Sequence, residues 1–395
     1  MMQAAQVEWE EKWKRVRHLL ERQEADALLL ARRVNVSWFT GGADVHVAKE
    51  ENGVAALLIS HDRIAVLTTA IEAPRLEREE FAPVAGSPAW QLVARPWTQG
   101  LPQQVASLNP KAKLITDDAA LAEAMGSADQ AGGGSPAGSA GWPGAAVRYA
   151  GNEVDELRYE LTPAEVERYR QAGRLVGRAL EEAARAVRRG QSELEIAADL
   201  DRRLEERGLE PTVTLVAVDD RIRLFRHPIP TGLRMLTRAM LVTCARYFGL
   251  TIAATRLVQL GRPPADLESR HQAVVQVEAA LLAASRPGVT MGELYQTAVQ
   301  AYAAQGYPGE EKLHHQGGAI GYLNRDYLAL PGSSQVLHSM QAVAWNPSIT
   351  GTKTEDTFLL TAGGLELLSA GGTGWPTINV QVNGQSIPRP AILVL

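Results

Sequence analysis

The chain has 395 residues, with 40 Lys and Arg against 45 Asp and Glu, a net charge of −5, 45% hydrophobic residues and a single cysteine. That length and composition suit two or three soluble globular domains with cores of their own. They exclude a disulfide within the chain and a Cys-rich zinc site, and the lack of a long basic run argues against nucleic acid as a partner.

In chain order, the opening is mixed in charge and lacks the basic start and apolar stretch of a secretion signal. No apolar run approaches the ~20 residues of a membrane helix, so a cytoplasmic location is expected. Residues 6–24 space Trp9, Trp13, Val16, Leu19 and Leu20 as the buried stripe of a helix. Ala27-Leu28-Leu29-Leu30, Val54–Ile59 and Ile64–Leu67 read as strands, with breaks at Gly41-Gly42 and a turn at Asn52-Gly53. Helical and strand segments alternate to about residue 120, the pattern of an α/β domain. Residues 126–146 are a Gly/Ser/Ala/Pro stretch too poor in apolar groups to order itself, an exposed loop or linker. The domain boundary is expected near 147–160, giving a first domain over 1–150 and a second over 151–395.

The second domain opens on Thr162-Pro163-Ala164-Glu165, an N-cap, first-turn proline and third-position glutamate in the right order for a helix running to about Arg189. Gly190 ends it, and Gln191-Ser192-Glu193 starts another running to Arg207. Strands are expected at Thr212–Val218, Met240–Tyr247 and Thr255–Gln259. A third long helix is expected over Asp266–Ser285, and Thr290 caps a fourth beginning near Met291. The tail returns to strand at Ala342–Asn346, Asp356–Thr361 and Ala391–Leu395. Helices flanking a mostly antiparallel sheet predict an α+β domain, and its two helix–helix–strand halves hint at a duplication.

Several stretches resemble, in order and spacing, the creatinase/prolidase/aminopeptidase P family. Asp26-Ala27-Leu28-Leu29-Leu30 with Asn35-Val36-Ser37-Trp38-Phe39-Thr40-Gly41 resembles the family's opening "D-A-L-L-L … N-h-x-Y-h-T-G". The 165–189 helix followed by Gly190, Glu193, Ile196 and Ala197 is similar to "G-x-x-E-x-x-I-A", and Thr255-Arg256 to the end of "D-x-T-R". Gly317 and Ile320-Gly321 match parts of "G-H-G-I-G", Asn346-Pro347 stands where "E-P" is expected, and Glu355-Asp356 matches the last "E-D". The resemblance spans nearly all the chain outside 126–146. It implies an α+β pita-bread domain preceded by a smaller creatinase-type α/β domain, and a homodimer.

The family's peptidases hold two divalent metals with two Asp, one His and two Glu, because neighbouring dications need several anionic oxygens. Carried over singly, those places fall on Val242, Ala253, Gly318, Asn346 and Glu355, so only Glu355 keeps the family's residue. No acidic residue occurs from Leu241 to Arg256, so no small shift in register restores the Asp pair. The resemblance therefore implies neither metal nor other cofactor. A lone ion on His314, His315 and Glu355 is disfavoured, because neighbours along a strand point to opposite faces.

Other polar groups stand in the same region. By resemblance His227 matches a substrate-contacting histidine, and His314-His315-Gln316 occupies the loop of the family's metal-binding His. With Arg226, Arg256, Asn346, Lys353, Glu355 and Asp356 they are expected to line one cavity of net positive charge. His227, His314, His315 and Glu355 are the candidate catalytic residues. Arg226, Arg256, Gln316, Asn346, Lys353 and Asp356 are the candidate substrate-binding residues. The rival for Arg256 is a structural ion pair with Glu355 or Asp356. Of His314 and His315, one is expected to be a core residue and the other functional. His18, His46, His61, His271 and His338 read as surface residues, Trp9 and Trp13 as core. The expected activity is metal-independent hydrolysis of a small amide, amidine or peptide carrying an anionic group, as the metal-free chemistry of creatinase on this fold implies. The alternative is a non-catalytic pseudo-peptidase that binds a peptide or small acid.

Overall fold

A computed structural model describes residues 2–82, 87–108, 112–126, 147–372 and 374–395. The stretch at 126–146, Gly126 apart, lies outside the described residues. The chain divides into two compact units, Met1–Arg158 and Tyr159–Leu395. The helix Gly151–Glu156 goes with the first unit, where Arg158 donates to Asn35 Oδ1 and pairs with Asp155.

The first unit is a six-stranded mixed sheet in the order Trp90–Arg95, Ile64–Thr69, Asn52–Ser60, Ala27–Arg32, Leu114–Thr116, Val147–Tyr149. Its core gathers Leu29, Leu58, Leu67, Val105, Leu114 and Met125. The Met2–Arg22 helix buries Trp9, Trp13, Val16, Leu19 and Leu20, as their spacing predicts. Asn52-Gly53 corrects the turn reading, since the strand already begins at Asn52. A Cβ on Gly53 would stand 2.6 Å from the Val45 carbonyl oxygen, so this glycine serves a close backbone approach instead of a reversal.

In the second unit the helices Pro163–Ala186, Glu193–Glu205 and Met291–Ala304 each open on a complete capping box, from Thr162/Glu165, Ser192/Glu195 and Thr290/Glu293. A fourth long helix spans Ala265–Ala284. Glu210–Val218, Arg238–Tyr247 and Leu250–Gln259 form an antiparallel sheet extended by the parallel strand Leu393–Val394. A second, antiparallel sheet runs Tyr327–Leu328, Gly317–Ile320, Ala342–Trp345, Asp356–Thr361, Gly364–Leu367. The sheets are joined along Leu250–Gln259 and Asp356–Thr361: the Thr255 N–H donates to the Glu355 carbonyl (3.0 Å), and the Thr357 hydroxyl to that of Ala253 (3.0 Å). This is an α+β pita-bread architecture, following a smaller α/β domain in the chain. A hairpin that sequence reading misses, Thr377–Val382 with Gln385–Pro390, turns at Asn383-Gly384, both at positive φ (49° and 82°).

Candidate functional site

Strand phase decides which side chains meet. Thr255 and Arg256 are neighbours on one strand, and Glu355 immediately precedes Asp356, the first residue of another, in extended chain, so each pair divides between opposite faces. Thr255 Oγ1 donates to Glu355 Oε2 at 2.7 Å on one face. On the other, Arg256 Nη1 donates to Asp356 Oδ1 at 3.1 Å and Nη2 lies 3.6 Å from Glu181. Asp356 also accepts from Ser369 Oγ (2.6 Å) and from Arg389 Nη2 (2.8 Å), and Arg389 is held by Glu278. Arg256, Asp356 and Glu181 line a cavity of about 210 Å³ with Trp375. The single cavity expected from sequence is therefore two separate places, and Arg256 and Asp356 belong with each other, away from Glu355.

On the Glu355 face, Lys353 Nζ donates to Oε2 (2.8 Å) and Arg325 Nη2 to Oε1 (2.9 Å). Burial raises the Glu355 carboxyl, but Lys353 and Arg325 overcome it and hold the pKa at about 2. Val242 stands directly opposite Thr255, and Ala253 opposite Cys244, so these residues share that face. Val242 packs with Leu215, Ala217, Met240 and Leu257, making the neighbouring floor apolar. Cys244 is buried and its thiol is pushed up to about 11 by burial.

Three histidines converge here. His227 lies exposed in the loop after the Arg221–Leu224 turn, and His314 and His315 sit in the bend after the 3₁₀ turn Glu310–Lys312. Because that bend is not a strand, His314 and His315 do not point apart; their ring centres are 4.5 Å from each other. His314 Nε2 lies 3.1 Å from His227 Nε2, and His314 Nδ1 lies 3.4 Å from Ser348 Oγ. Although His227 is exposed overall, partial desolvation of its ring, then the charge of Lys353, lowers its pKa. Burial and Lys353 depress His314 to about 2, and burial and Arg325 depress His315 to about 4. At neutral pH all three rings are uncharged, with lone pairs available.

The remaining predicted residues are scaffold here. Arg226 Nη2 donates to Glu310 (2.6 Å) and to Thr350 Oγ1 (2.9 Å), fixing the His227 loop to the segment before His314. Gln316 is fully buried, donates to the carbonyls of Glu311 (3.1 Å) and His314 (2.6 Å), and accepts from the Tyr302 hydroxyl (3.0 Å). Asn346 is buried, with its N–H on the Gln316 carbonyl at 3.0 Å and its Oδ1 without a hydrogen-bond partner among the described residues. Sequence reading misses Arg325, Thr255 and Ser348; Arg325 lies in an irregular loop, where no periodicity or motif marks it. His271 also corrects a surface reading: it is 3% exposed. His46 and His338 are half-buried, while His18 and His61 are exposed.

The sequence model of the creatinase/prolidase N-terminal domain matches residues 12–129, and that of metallopeptidase family M24 matches residues 167–362. An uncharacterized peptidase of Staphylococcus aureus (strain MW2) is 22% identical over 365 residues, covering 89% of this chain and 96% of its own. Among solved structures, an Xaa-Pro dipeptidase from Bacillus anthracis superposes with a TM-score of 0.73 at 18% identity, over 98% of this chain and 100% of that one. The N-terminal domain of the FACT complex subunit SPT16 from chickpea reaches 0.66 at 12% identity, over 94% and 96%. With both domains matched in order and the fold shared end to end, the chain belongs to the creatinase/prolidase/aminopeptidase P family.

Proposed function

We propose that this peptidase-family protein hydrolyses a small amide, amidine or peptide without the family's pair of divalent metals, using His227 as acid and base. The observation that carries this reading is the 3.1 Å contact between the Nε2 atoms of His227 and His314, with burial and Lys353 holding the His314 ring neutral and Lys353 disfavouring charge on His227. A contact between two such nitrogens holds one proton. When it belongs to His227, Nδ1 of that exposed ring is a free acceptor and takes a proton from the attacking water. The water oxygen then bonds to the carbonyl or amidine carbon, the C–N bond breaks, and the imidazolium returns the proton to the leaving nitrogen. His314 and Ser348 orient the base.

The residue set does not suit two dications. Val242 and Ala253 offer no donor and Gly318 no side chain. Asn346 offers a neutral amide, and both Glu355 oxygens are engaged by Thr255, Lys353 and Arg325. An anionic substrate group, or negative charge developing on the attacked oxygen, would be drawn to Lys353 and Arg325, two cations facing one carboxylate. Arg226 and Arg256 are committed to Glu310 and Asp356.

The test is turnover of dipeptides, including Xaa-Pro, by protein dialysed against chelator. Activity should survive dialysis and fall by about 10²–10⁴ in His227→Ala. Loss on dialysis, with restoration by two metals per chain, would overturn the reading. A second reading, a non-catalytic binder of peptides or small acids, is supported by Lys353 and Arg325, two cations facing the single carboxylate of Glu355, which would attract an acid whether or not cleavage follows. It takes over if dipeptides raise the melting temperature without being cleaved.

A further inference from the structure

His227 and His314 are 87 residues apart in the chain, yet one nitrogen from each of His227, His314 and His315 lies within 4.8 Å of those of the other two. Zinc bonds nitrogen at about 2.0–2.1 Å, so tetrahedral donors stand roughly 3.4 Å apart. The His227–His314 pair is already at 3.1 Å. His227 is exposed, so a small adjustment of its ring to close its distance to His315 displaces no buried packing. A second observation points the same way. His315 Nδ1 is buried without a hydrogen-bond partner among the described residues, an unfavourable state for a polar atom unless something takes it up.

We propose that His227, His314 and His315 form a mononuclear site for a borderline divalent ion of the zinc type, apart from the places where the family's carboxylates would stand. Three imidazole donors favour Zn²⁺, Co²⁺, Ni²⁺ or Cu²⁺ over Mg²⁺, Ca²⁺ or Mn²⁺, which prefer oxygen. Lys353 and Arg325 repel any dication and Glu355 attracts it; the net repulsion weakens binding and selects further for ions that bond strongly to nitrogen. The ion would occupy a nitrogen of His227 and pin its ring, so the loaded protein is inhibited if His227 is the base of the proposed hydrolysis.

The experiment uses tag-free full-length protein, stripped with chelator, dialysed and titrated with zinc chloride by calorimetry and thermal shift. One zinc per chain is expected, with a rise in melting temperature that magnesium chloride does not give. His227→Ala and His315→Ala should each weaken zinc binding by at least about tenfold, with wild-type circular dichroism showing that the variants fold. No binding at millimolar zinc, or binding unchanged in both variants, overturns the site. Turnover separates the two readings. Inhibition by zinc upholds both, whereas activity that requires zinc upholds the site and sinks the metal-free hydrolase.

Discussion

His271 lies on the buried face of the Ala265–Ala284 helix, with Thr352 Oγ1 2.7 Å from Nδ1 and the Pro390 carbonyl 2.9 Å from Nε2. The carbonyl can only accept, so Nε2 carries the proton and Nδ1 takes the Thr352 hydroxyl. Burial lowers the pKa from 6.5 to about 4. The unfolded chain therefore protonates first as pH falls. Stability is complete above about pH 6.5 and declines toward pH 4, by roughly 3 kcal/mol from this residue. Unfolding midpoints in denaturant, measured from pH 7 to 4, should fall less steeply in His271→Gln than in the wild type. Equal slopes would show that His271 does not carry the effect. Such a residue is hard to place from sequence, since polar and apolar residues are mixed around its helix and no clean stripe marks its inward face. The convergence of His227 with His314 was implied by the family resemblance alone; no local pattern marks it, since it is made by a tertiary approach that the Arg226–Glu310 pair secures.

Helices were the most legible elements, because caps are local: Thr162, Ser192 and Thr290 each satisfy backbone donors within three residues. The strand divisions Thr255/Arg256 and Glu355/Asp356 were legible in principle from period-two alternation, but only once the strands were known to abut. Packing between elements was not legible. Gly173 and Gly177 lie inside the Pro163–Ala186 helix, where alanine would ordinarily stabilise by about 1 kcal/mol. Here a Cβ at 173 would stand 2.2 Å from the Leu368 carbonyl oxygen, and one at 177 would stand 2.3 Å from that of Ser369. Gly177→Ala should therefore destabilise, by about 1–3 kcal/mol, read as a lower denaturation midpoint. A neutral or stabilising result would mean that the 368–371 segment yields to the helix.

At the scale of the whole molecule, no described helix is long and apolar enough to cross a membrane. Leu224, Phe225, Ile229, Leu233 and Leu236 are all at least 47% exposed within the segment that carries His227. Five exposed apolar side chains within 13 residues call for cover, and we expect a second copy of the chain to supply it. Sedimentation at micromolar concentration should give twice the 42.7 kDa chain mass, and Ile229→Glu with Leu233→Glu should give the single mass. A wild-type monomer would refute this. The two-domain fold was legible because hydrophobic periodicity and turn residues recur along the chain, whereas the site depends on loops that no periodicity governs. Lys353 carries a consequence for how this protein meets its surroundings. A carboxylate neutralised by a dissociable ion is satisfied only while that ion is supplied, and its occupancy follows mass action. The ammonium on Glu355 is part of the same chain, two residues away, and is present at a fixed local concentration whatever the medium contains. The charge balance at Glu355 is thereby inherited with the sequence and does not depend on a supply of free cations.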